Sequence, residues 1–214
     1  MGDRPRAGFD VQAALDVLSA ANAAREAALT DCRLVIRLSG RAVRAVHRHH
    51  VSEATALTGE AEQALRRAQG ILAPHPALAA SGFLHDAEKE FVEAVSTAAF
   101  VGGSTPPDHE HLSVGVPAWL NGVAEAASEL RRQLLDCLRQ GQEVEAERLL
   151  VAMEDAYDAL TLVDFPDALT GGLRRTVDGL RAVLERSRAD VTATMVQLRL
   201  LRTIDRAGHP GTDA

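Results

Sequence analysis

The chain has 214 residues, enough for one large domain with a substantial core. Aromatics make up 3%, alanine and leucine dominate, and glycine and proline gather at a few points, which excludes a sheet-built protein and reads as all-helical. The formal net charge of -7 argues, taken alone, against a nucleic-acid partner. Two well-separated cysteines, Cys32 and Cys137, suit reduced thiols in a cytoplasmic protein, and no segment reads as a secretory leader or a membrane span.

Taken in chain order, Asp10 suits the N-cap of a long helix that runs to about His50, with Gly40 as its weak point. A second helix starts near Ser52 and is ended after Leu72 by Pro74 and Pro76. A third is expected from Pro76 to Val101 as one piece. Residues 102–113, with two adjacent prolines, cannot be helical throughout and form a loop of functional or flexible length. Pro117 opens a helix closed by Gly141, another covers about Glu143 to Val163, and a last long helix runs from about Gly172 to Asp205. Nothing separates these into domains. One domain over residues 9–205 is expected, with flexible tails at 1–8 and 206–214.

Two patterns carry chemistry. Arg33, Arg37, Arg41, Arg44 and Arg48 fall within about 80° of one another around the first helix and span about 22 Å along it. No acid interrupts them, so they form either a solvated face or a phosphate-binding stripe, with His47, His49 and His50 extending its cationic end. Asp108, His109, Glu110 and His111 form a second polar cluster, which reads as a solvent loop ahead of a soft-metal site.

The acids form the other pattern. Glu90 and Glu93 lie about 60° apart, and Glu125 and Glu129 about 40° apart, each pair on one flank of its helix's apolar arc. Most such pairs are solvated surface. Here Gly122, Ala124, Ala126, Ala127 and Ser128 surround the second pair, and small residues allow another helix to approach. Four converging carboxylates would repel by about 4 kcal/mol per pair at 4 Å, so the site needs a cation, protonation or open water. A hard divalent ion meets that need.

The segments KEFVEAVSTAAF (89–100), VPAWLNGVAEAASELRRQLL (116–135) and LRRTVDGLRAVLERSRADVT (173–192) resemble the translin family, more narrowly its translin-associated factor X branch. RLSGRAVRAVHR (37–48) and FPDAL (165–169) fit the same pattern. The resemblance implies about seven helices assembling into a closed oligomeric barrel, usually an octamer, with RNA on its inner face. It implies that Glu90, Glu93, Glu125 and Glu129 hold Mg2+ or Mn2+ and cleave single-stranded RNA, with Glu125 standing where the family usually has aspartate. Arg33, Arg37, Arg41, Arg44, His47 and Arg48 would bind the RNA. Thr176 stands where relatives often carry a lysine. The alternatives are a catalytically silent assembly that binds single-stranded RNA or DNA, and a helical bundle with no nucleic-acid role.

Overall fold

The computed structural model of the protein describes residues 11–208, with side chains to residue 205. Eight helices and no strand occur among the described residues: α1 Gln12–His47, α2 Val51–Leu72, α3 Pro76–Ala79, α4 Phe83–Val101, α5 Val116–Arg139, α6 Glu143–Thr161, α7 Asp167–Thr170 and α8 Leu173–Gly208. None of them is long and apolar enough to cross a membrane. Asp10, the tail expected at 1–8 and residues 209–214 of the tail expected at 206–214 lie outside the described residues, while residues 206–208, also expected as tail, continue α8.

α1 passes through Gly40 unbroken. A mid-helix glycine costs about 1 kcal/mol, whereas each fully buried Val or Leu of the inner face contributes about 1.5–3 kcal/mol. Ala28, Cys32, Val35, Leu38, Ala42 and Ala45 form that face at three- and four-residue steps. α1 packs between α2 and α4, α4 packs on α5, and α5 carries α6 and α8 on its other side. One apolar core joins α1, α2, α4 and the first half of α5 with the end of α6 and the start of α8; a second joins the rest of α5 to α6 and α8.

The single helix expected over Pro76 to Val101 is in fact two. α3 ends at Ala79, and Gly82, at φ 96° in the left-handed region, is the N-cap from which the chain enters α4. The loop 102–115 is not a loose solvent segment either. Arg66 donates to the carbonyls of Leu112 and Ser113, Trp119 Nε1 donates to Pro107 O at 2.9 Å, and the Gly115 amide donates to Glu88 at 3.0 Å. Leu112 and Val114 are thereby buried. Asp108 accepts from the His111 amide and the His109 ring meets Trp119 edge-on, and among the described residues these acids and histidines form no metal-binding group.

One glycine sets the spacing that matters for function. A Cβ at Gly122 would sit 2.7 Å from the Lys89 carbonyl and 2.7 Å from Val92 Cβ, so α4 and α5 touch nearly backbone to backbone there. Gly122→Ala gains about 1 kcal/mol in helix propensity but overpacks a contact whose partner is main chain, at about 1–3 kcal/mol. The expected result is a lower melting temperature, read by thermal denaturation.

Candidate metal centre

That close crossing brings Glu90 and Glu93 of α4 together with Glu125 of α5, where one carboxylate oxygen from each lies within 4.8 Å of the others. All three side chains are half-buried. Adjacent oxygens around one hard divalent ion, bound at about 2.0–2.6 Å, lie about 3–4 Å apart, so donors already within 4.8 Å of one another need only small side-chain movements to share it.

Without an ion the charges are relieved in two ways. Lys89, the only lysine of the chain, reaches across to Glu125 Oε1 at 2.8 Å and lies 3.8 Å from Glu90 Oε1. Burial opposes the Lys89 charge, yet the hydrogen bond and charge of Glu125, with Glu90 and Glu93, raise its pKa. Glu93 is relieved by protonation: burial, reinforced by the charges of Glu90, Glu125 and Glu129, pushes its carboxyl up to about 8. Burial also raises Glu90, against the pull of Lys89. Both devices lend themselves to replacement by a metal.

Glu129 stands apart from this group. Its Oε2 lies 3.0 Å from His47 Nε2, and that hydrogen bond holds its carboxyl below the usual range despite partial burial. The His47 side chain is only 2% exposed. His47 therefore leaves the set expected to touch RNA: the α1 rotation turns it inward, toward α5, while the arginines stay outside. Arg33, Arg37, Arg41, Arg44 and Arg48 are all exposed, and no ion pair among the described residues engages them. By contrast Arg67, Arg131, Arg148 and Arg188 each pair with an acid. Arg44 lies one turn before His47 and about 60° around α1, so the stripe borders the flank that carries the carboxylates.

Beside Glu125 runs an open groove of about 610 Å³, lined also by Ser128, Gly171, Gly172, Arg175 and Thr176. Thr176, which stands where relatives often carry a lysine, donates to Asn121 Oδ1 at 2.7 Å, and Asn121 in turn donates to the carbonyls of Pro117 and Thr170. The groove's cation is instead Arg175, one residue earlier and exposed. His49 and His50 do not join His47 on a metal; they meet Gln133 and Glu53.

Lys89 and Arg175 were missed as site residues by sequence reasoning, and His47 was given to the RNA-binding stripe, whereas it contacts Glu129. The one available signal was Lys89, a lone lysine beside Glu90 in a chain whose other basic residues are arginines.

No model of a known protein family matches the sequence. An uncharacterized protein of Methanocaldococcus jannaschii is 29% identical over 126 residues, which is 58% of this chain, and the chain spans about half the length of that relative, 56%. Among solved structures, AfC3PO is 31% identical, with a TM-score of 0.81 over 88% of this chain and 98% of that one. AfC3PO in complex with duplex RNA is 32% identical at a TM-score of 0.70, with the same coverage. NeC3PO without ligand, at 16% identity and a TM-score of 0.78 over 91% of this chain and 100% of that one, shares the fold.

Proposed function

The chain belongs to the translin family, and from that premise we propose that it is a divalent-metal-dependent endoribonuclease of the translin-associated factor X type. The observation that carries this is the convergence of Glu90, Glu93 and Glu125 across the α4–α5 crossing. A bound Mg2+ or Mn2+ would supply a Lewis acid for the phosphodiester oxygens and an acidified water. The three glutamates would hold it, Glu93 surrendering its proton as they do so. Arg175 faces the groove beside Glu125, where it can neutralise a phosphate of the bound strand. AfC3PO's complex with duplex RNA supports RNA as the polymer. We assign single-stranded RNA as the cleaved form, because half-buried carboxylates require a backbone that bends inward to reach them.

The unpaired arginines of α1 are the expected track for that strand, with single-stranded DNA as a weaker ligand. Replacing both Arg41 and Arg44 with alanine should weaken RNA binding and reduce the slope of log affinity against log salt by about 1.4, since each phosphate contact on a single strand contributes about 0.7. Fluorescence anisotropy across a salt series reads this directly. An unchanged slope removes the stripe from the interface.

A silent RNA-binding assembly has one observation in its favour. The 2.8 Å bond from Lys89 to Glu125 occupies an oxygen that a metal would need, and glutamate adds a methylene where the family usually has aspartate. Cleavage and metal-binding assays on the same preparation separate the two: Mn2+ binding with cleavage supports the nuclease, whereas RNA binding without either supports the silent assembly.

A further inference from the structure

We infer that His47 is a positioning residue that withholds Glu129 from the metal and fixes it as the proton acceptor for the attacking water, leaving Glu90, Glu93 and Glu125 as the ligand set; this rests on the nuclease reading above. Glu129 follows Glu125 by one turn of α5 and about 40° around it, so the two lie on the same flank of the helix. Yet the tight group comprises three glutamates and excludes it. The difference is the 3.0 Å contact to His47 Nε2, supplied by the last turn of α1.

A purely structural role accounts poorly for this histidine. Among the described residues its buried Nδ1 has no hydrogen-bond partner, and its ring makes one polar contact, to Glu129. A buried polar atom left unsatisfied is costly, and an apolar residue of similar size would fill the space without that cost. The arrangement makes sense if the Glu129 contact is what the ring is for. Held by Nε2–H, Glu129 keeps its carboxylate available while its position is fixed. Its remaining lone pairs take a proton from water as the water oxygen bonds to phosphorus. The bridging P–O bond breaks, and the leaving oxygen takes a proton from solvent.

The test compares wild type, His47→Ala and His47→Gln, measuring Mn2+ binding by calorimetry and steady-state cleavage of a single-stranded RNA. With His47→Ala, Mn2+ affinity and KM should stay within about twofold of wild type while kcat falls on the order of 10² or more. His47→Gln, whose side-chain amide can donate to Glu129, should recover part of kcat. Undiminished kcat in His47→Ala overturns the assignment, as does loss of Mn2+ binding in step with kcat, which would make Glu129 a ligand. Should His47→Ala fail to fold, Glu129→Gln decides: retained Mn2+ binding with lost kcat supports the assignment, and lost Mn2+ binding refutes it. A wild type that binds Mn2+ and RNA but cleaves nothing sinks the nuclease reading and this assignment together. That result is distinguishable from failure of the assignment alone, in which wild type and His47→Ala cleave equally.

Discussion

Glu93→Gln will abolish metal-dependent RNA cleavage and, in the absence of metal, make the protein more stable than wild type above pH 8. The two effects have one cause. Burial and three neighbouring carboxylates push Glu93 up to about 8, so at neutral pH the metal-free fold holds a proton that the unfolded chain, with its ordinary value of 4.5, has lost. Stability of the metal-free wild type is therefore full below about pH 4.5, declines as pH rises through 8, and levels off above it. Glutamine has the shape and neutrality of the protonated acid and does not titrate, so its melting temperature escapes that decline. Metal reverses the ranking. A ligand that binds only the folded state raises wild-type stability, and Glu93→Gln, short of one charged ligand, should gain little. Loss of one preorganised charged group in a catalytic site is worth on the order of 10² to 10³ in rate. Melting curves at pH 6 and 9, with and without Mn2+, check the first effect, and cleavage assays check the second. At pH 7 Mn2+ binding should release protons from the wild type and fewer from the variant.

Pairing Leu18→Glu with Leu201→Glu will split the assembly and reduce RNA affinity by about 10² or more, because linked sites gain that much by avidity. The first turns of α1 and the last of α8 carry apolar side chains that the protomer leaves in water: Leu18 is 65% exposed and Leu201 56%, with Val17 and Ile204 alike. Burying each leucine contributes about 1.5–3 kcal/mol, and a second copy of the chain is the expected cover. Net charge of -7 repels RNA at long range, so five exposed arginines per protomer become effective when symmetry gathers them around a shared cavity. An octamer is the expected assembly from family resemblance. Light scattering should show the wild type as a closed oligomer and the variant as smaller species that still fold. Variant protomers that bind and cleave RNA as well as wild type would contradict this arrangement.

What the sequence made legible was what each helix encodes within itself. The three- and four-residue periodicity located the six long helices, and the i, i+3 and i, i+4 spacings put Glu90 with Glu93 and Glu125 near Glu129. The break after Ala79 was hidden, because Ala80 and Ser81 tolerate helix and a single glycine in a helical pattern does not by itself reveal a φ of 96°. Contacts between elements were hidden too. Gly122 was visible as one small residue among several, but its 2.7 Å approach to the Lys89 carbonyl depends on the crossing with α4. His47 looked like the end of a cationic stripe until α1 turned it toward α5, and with it went the equivalence of the four glutamates: three converge, and the fourth has a partner of its own.

The central claim is that these carboxylates hold a metal that cleaves RNA. It is tested most directly by incubating the purified protein with an end-labelled single-stranded RNA while Mn2+ is titrated against excess chelator. Internal cleavage should appear with Mn2+ or Mg2+, vanish in chelator and return when metal is restored. Cleavage that persists in excess chelator, or its absence at every metal concentration from a preparation that binds RNA, would contradict the account.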